Sequence, residues 1–182
     1  MHPRIDELIA HLHSSRAQLR AAVDAVPPSR RRERPGPDRW SVAEVLEHLG
    51  LVEQRVADAL GARLAAAKAG GLASETETSS VLASFDVARI LDRSRRFMTG
   101  EGSKPKAGLD VAAAWEALER SRDALIEVAT AGDGLALGEV SSPHPVLGLL
   151  TMYEWLAFLG SHDARHAAQI SEIGAHLSAR RD

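Results

Sequence analysis

The residues best equipped for chemistry are two histidines one helical turn apart near the C-terminal end, in His162-Asp163-Ala164-Arg165-His166-Ala167-Ala168-Gln169-Ile170. Side chains at i and i+4 share a helix face, so both imidazoles can turn toward a common atom. A third histidine, His48, lies in the amphipathic stretch Trp40-Ser41-Val42-Ala43-Glu44-Val45-Leu46-Glu47-His48-Leu49. Two ligands from one helix and one from another make the protein half of an open metal site. Three protein ligands leave a coordination position for water or substrate, unlike structural sites closed by four.

On the last helix, Trp155, Leu159, His162, His166, Gln169 and Ile173 recur at spacings of four and three, the pattern of a core-facing stripe. Three polar residues interrupt its apolar run, and each would cost about 1–3 kcal/mol if buried unpaired. A metal would satisfy two of them, although histidines can also be buried without one. His48 falls on the flank of its own stripe beside Glu44 and Arg55, a placement that suits the mouth of a bundle and also suits a surface histidine. Two further residues are candidates for a catalytic role. Gln169 lies one turn past His166 and could orient a water or substrate. Glu44 lies one turn before His48 and could act as base, although a capping role already accounts for it.

The remaining polar and aromatic residues invite plainer readings. Asp163 is rotated about 100° from His162, which points to solvent or a salt bridge, and Arg165 reads as a surface residue with anionic substrate as the alternative. His2, His11, His13 and His144 lack a matching partner set and read as structural or incidental. Trp40, Trp115 and Trp155 read as core anchors.

The elements that must position these residues are helices. Ile5, Leu8, Ile9, Leu12, Leu19 and Val23 mark a first helix from about Arg4 to Val26, ended by Pro27-Pro28. Ser41 with Glu44 three residues on is a capping-box start for a second helix running to about Lys68, stopped by Gly70-Gly71. Residues 71–80 read as loop, 81–98 as ambiguous with a short helix around 86–97, and 100–108 as loop. Asp110 caps a third long helix over 111–131. Residues 132–148 read as a Gly/Pro loop, and a last helix covers about 151–179. No repeat and no strand alternation is apparent. Four long amphipathic helices define an all-α, up-down four-helix bundle with long connecting loops, a single domain over residues 1–182.

Composition narrows the function. Of 182 residues only 4% are aromatic and none is cysteine, so Leu, Ala and Val form most of the core, and disulfides, thiolate ligands and a cysteine nucleophile are excluded within the chain. The net charge of -3 gives no reason to expect nucleic acid. The cluster Arg30-Arg31-Arg32-Glu33-Arg34 between prolines reads as a solvated loop. With no apolar leader and no stretch near 18 uninterrupted apolar residues, neither secretion nor a membrane span is expected, and a cytoplasmic protein is the plain reading.

The stretch from Trp40 to Leu49, the segment from His144 to Trp155, and its continuation into His162–Ile170 together resemble the DinB-like family (DinB/YfiT-like metalloenzymes). Their order, spacing and helix placement fit over most of the chain, while residues 70–108 contribute little. The resemblance implies a four-helix bundle, often a homodimer, with a divalent metal ion (zinc, nickel or iron) on three histidines that correspond to His48, His162 and His166. Most of the family is uncharacterised. It includes proteins regarded as metal-dependent hydrolases and relatives that transfer low-molecular-weight thiols. The functional expectation is therefore an enzyme whose metal activates water or an external thiol toward a small-molecule substrate. Its alternatives are a non-catalytic metal- or ligand-binding bundle and a dimerisation domain.

Overall fold

The computed structural model describes residues 1–94, 100–106 and 108–179. Four long helices dominate it: α1 (Pro3–Asp24), α2 (Val42–Ala69), α4 (Val111–Ala131) and α5 (Met152–Ala179), with a five-residue α3 (Val87–Leu91) between the second and third of them. Their starts are chemically explicit. Ser41 Oγ accepts the Glu44 amide while the Glu44 carboxylate accepts the Ser41 amide, a complete capping box on α2. Thr151 and Glu154 exchange the same pair of bonds at the head of α5. Asp110 caps α4 and Asp86 caps α3.

The expected bundle is present, and its helices run up, down, down, up. α1 and α5 are parallel: Arg4 lies over the Tyr153 ring, His11 beside Gly160, Arg16 beside Asp163 and Val26 against Gly174. α2 and α4 are parallel too, with Gly50 against Leu118, Gly61 against Val128, and Lys68 bonded to the Ala131 carbonyl. Gly160 lets α1 approach closely: a Cβ there would stand 2.3 Å from the His11 ring, which would have to move.

A parallel pair dictates the long connection between α2 and α4. A 28-residue helix is about 42 Å long, so the chain must travel back along the bundle before α4 can begin. Residues 70–110 make that crossover. It is tied to α1 through Val81 N–H and Glu7, to α5 through Arg165 and Arg93, and to α2 through Ser103 and Lys106. The helix expected around residues 86–97 is limited to α3 among the described residues, and its expected end falls outside them.

Part of the loop expected over 132–148 is ordered as a hairpin. β1 (Ser141–His144) pairs antiparallel with β2 (Gly148–Thr151), Ser141 opposite Thr151. Gly148 takes the positive φ, 85°, that closes the three-residue turn. Four-residue strands containing Pro143 are too short to show alternation. The arginine cluster is also more engaged than a solvated loop: Arg31 bonds the Val26 carbonyl, Arg30 the Leu177 carbonyl, and Arg34 pairs with Glu44.

The core falls into two apolar clusters, one around Leu8, Leu60, Leu125 and Leu156, the other around Val23, Leu46, Leu118 and Ile170. Between them lies a buried charged layer with one residue from each long helix: Arg16, Glu53, Arg122 and Asp163, all at most 7% exposed. Arg16 bonds Glu53 at 2.8 Å and Asp163 at 2.9 Å, and Arg122 bonds Asp163 at 2.9 Å and also Glu53. Burial alone would lower the Arg16 pKa, but the two carboxylates raise it above its ordinary value. Among the described residues no helix is long and apolar enough to cross a membrane.

Candidate metal centre

The seam between α2 and α5 brings His48, His162 and His166 together. One ring nitrogen of each lies within 4.8 Å of the others. The Nε2 atoms of His162 and His166 are 3.1 Å apart, close to the separation of about 3.3 Å that two nitrogens have on a tetrahedral ion with bonds near 2.05 Å. His48 and His166 are buried and His162 is half-buried, so the flank position of His48 faces the seam and not the solvent.

The other face of the site fixes ring orientation. His48 Nδ1–H donates to the Ser103 carbonyl at 2.8 Å, and His166 Nδ1–H donates to Gln169 Oε1 at 2.7 Å. Each bond places the proton on Nδ1 and leaves Nε2 as a lone-pair donor toward the centre, the arrangement by which metal-ligating histidines are normally oriented. Ser103 belongs to the crossover, where Arg55 holds its hydroxyl. Nothing in the sequence singles out a carbonyl, so this partner was not foreseeable. His162 is stacked on Phe158, 5.3 Å between ring centroids and 19° between planes, and Trp40 stands 4.9 Å from His48.

Burial pushes all three imidazoles below the ordinary histidine pKa of 6.5. His48 is lowered, His162 is well below, and His166 falls to about 3, with the neighbouring histidines and Arg165 adding to the effect of desolvation on His162 and His166. The triad is therefore neutral at pH 7, the protonation state in which imidazole binds a metal.

The other candidates sort clearly by contact. Gln169 bonds His166 directly. Glu44 is buried and committed to the α2 cap and to Arg34, about one turn from His48 but with its carboxylate occupied. Asp163 is in the ionic layer. It makes the salt bridges that were one of its two expected roles, and its burial excludes solvation. Arg165, expected at the surface, is buried and donates to the carbonyls of Ile90 and Asp92, fastening the crossover to α5. Trp155 is buried, donates its indole N–H to the Ser142 carbonyl and packs on His144. His144 itself is not incidental: its Nδ1 accepts the Val146 and Leu147 amides, and its ring lies 4.7 Å from Phe158, which in turn carries His162. His11 contacts the Ala157 carbonyl and His2 caps α1.

Fold and site together define a helical bundle with three convergent histidines across one helix seam. The family model of the DinB superfamily matches residues 11–170, and the chain belongs to that superfamily. It is 27% identical over 149 residues to the uncharacterized protein YuaE of Bacillus subtilis (strain 168), covering 78% of this chain and 81% of YuaE. In fold it is similar to the crystal structure of TT2238, a four-helix bundle protein, with a TM-score of 0.62 at 20% identity, over 92% of this chain and 98% of that one.

Proposed function

We propose that the protein is a divalent-metal-dependent enzyme of the DinB superfamily, acting on a small molecule with water or an external low-molecular-weight thiol as nucleophile. One observation carries this reading. Three neutral imidazoles converge, and in two of them, His48 and His166, Nδ1–H bonds to Ser103 and Gln169 leave Nε2 free toward the centre. Those donors fit zinc, nickel or iron, all of which accept imidazole. A bound ion would supply Lewis acidity, lowering the pKa of a water or thiol delivered to it.

The chain's own residues would hold the three rings, exclude bulk water and shape the approach. Phe158 and Trp40 flank the histidines with apolar ring surface, which favours a substrate with an apolar part beside the reacting group. Glu44, one turn before His48, is tied up in the cap and with Arg34 and is not free to serve as base, so the proton of a nucleophile acidified at the site would leave to solvent. With no cysteine in the chain, a thiol must arrive as cosubstrate; the reducing cytoplasm, which we take as its compartment, holds such thiols.

Elemental analysis of the tag-free protein beside a His162→Ala/His166→Ala variant tests this. About one divalent ion per chain, absent from the variant, supports the site and directs screening to hydrolysis and thiol transfer. No ion after incubation with zinc, nickel or iron would overturn it in favour of a bundle that keeps the fold without the chemistry.

A further inference from the structure

The two halves of the bundle repeat one pattern. In α1 the segment Leu12-His13-Ser14-Ser15-Arg16-Ala17-Gln18-Leu19 matches Leu118-Glu119-Arg120-Ser121-Arg122-Asp123-Ala124-Leu125 of α4 at Leu, Ser, Arg and Leu. In α2, Leu49, Gly50, Glu53, Arg55, Ala57 and Leu60 match Leu159, Gly160, Asp163, Arg165, Ala167 and Ile170 of α5 at identical spacing. The contacts are reciprocal in the same way. Arg16 donates to the Leu118 carbonyl and Arg122 to the Leu12 carbonyl, while Ser15 and Ser121 each bond the carbonyl three residues back in their own helix. Gly50 receives α4 at Leu118, and Gly160 receives α1 at His11. The ionic layer is thus the meeting plane of two copies of one helix pair.

The copies differ where the metal ligands stand. His162 and His166 flank Asp163 by one residue and three, and the equivalent positions around Glu53 are Val52 and Val56. We propose that Asp163 is the positioning residue of the metal centre, fixing the rotation of α5 so that His162 and His166 face His48; this rests on the metal reading above. A single oxygen, Asp163 Oδ2, accepts Arg16 Nε and Arg122 Nη2, each at 2.9 Å, so α5 is held from α1 and α4 at the turn that carries both ligands. The lever is short and the tolerance narrow. Side chains reach about 5–6 Å from a helix axis, so a 10° rotation moves one by about 1 Å. Metal–ligand distances are set within about 0.2 Å.

The duplication supplies an internal control. Asp163→Asn and Glu53→Gln remove a carboxylate charge from the same layer, but only the first lies between two ligands. Co2+ titration with d–d absorption, alongside thermal unfolding without metal, separates position from stability. The expected result is a similar fall in melting temperature for both, with Co2+ affinity at least tenfold weaker and a shifted absorption band in Asp163→Asn alone. Asp163→Glu, which installs the carboxylate of the other copy, recovers most of the affinity. Should Asp163→Asn fail to fold, Arg16→Lys, which keeps the charge but loses the Nε contact to Asp163, is expected to show the same band shift. Wild-type affinity and spectrum in these α5-directed variants, or equal losses in Glu53→Gln, would overturn the assignment. A wild type that binds no Co2+ would instead overturn the reading of the histidines, and the positioning role with it.

Discussion

The histidine seam and the ionic layer lie on the same helices within a few residues of each other, yet they satisfy buried polar groups in opposite ways. Arg16, Glu53, Arg122 and Asp163 face one another across all four helices, and the carbonyls of Leu12 and Leu118 take up further guanidinium donors. The four buried groups are net neutral and each is met by protein partners, with the half-exposed Glu119 also paired to Arg16, so there is no call for a ligand. His48 and His166 each spend one nitrogen on a fixed acceptor and aim the other at a shared point. That constellation is open. The difference teaches how to tell structural from functional polarity: what counts is whether the remaining lone pairs converge on each other or on a protein partner.

The largest effect expected from breaking this contrast is in the layer. Arg122→Ala leaves Asp163 buried with Arg16 alone and Glu53 with Arg16 and the Ser121 hydroxyl, and removing one member of a buried ion pair costs about 3–5 kcal/mol. Urea unfolding should show a midpoint lowered accordingly, and saturating metal should not restore the lost bonds. A loss below about 1 kcal/mol would mean that water enters the layer and that it is not closed.

The histidines should respond next, to acid. A histidine whose folded-state pKa lies below 6.5 leaves the unfolded chain binding more protons in the interval between, so stability falls as pH falls. For His166 the interval runs from 6.5 to about 3, and each histidine so held contributes up to about 1.4 kcal/mol per pH unit within its own window. Thermal unfolding between pH 7.5 and 5 should show this decline, reduced in His162→Ala/His166→Ala. An unchanged slope in that variant would contradict the burial argument.

How far the sequence foretold this depends on what each feature needed. The four helices and their caps were legible, because periodicity and capping are local: Ser41 with Glu44 and Asp110 before Val111 mark true starts. The grouping of three histidines was legible through spacing and family resemblance. The ionic layer was not. Its members stand one per helix and 37 to 69 residues from the next in the chain, and each alone resembles a surface charge. The repeat behind the layer matches only at scattered positions, with Leu, Ser, Arg and Ala common enough to escape notice until the contacts align them. The up-down-down-up order was hidden for a related reason: helix direction follows from how far a crossover travels, and residues 70–110 carry weak local signals. Ser103 enters the site through a backbone carbonyl, which no side-chain pattern encodes.

The smallest and sharpest test concerns the two residues on which sequence reasoning placed catalytic hopes. Gln169 acts on the open constellation through His166 Nδ1, and loss of such an orienting partner commonly weakens metal binding by about 10–100-fold. Gln169→Ala should therefore reduce metal affinity by that order while leaving the metal-free protein nearly as stable, since the amide is only half-buried. Glu44 belongs to a closed constellation of its own, the cap and Arg34. Glu44→Gln keeps an acceptor for the Ser41 amide and loses the charge, so it should cost about 0.5–1 kcal/mol and leave metal affinity unchanged. Isothermal titration of the two variants distinguishes the roles. A metal-binding defect in Glu44→Gln equal to that of Gln169→Ala would show the cap and the seam to be one device, because the rotation of α2 that the cap sets would then reach His48 as directly as the α5 contacts reach His166.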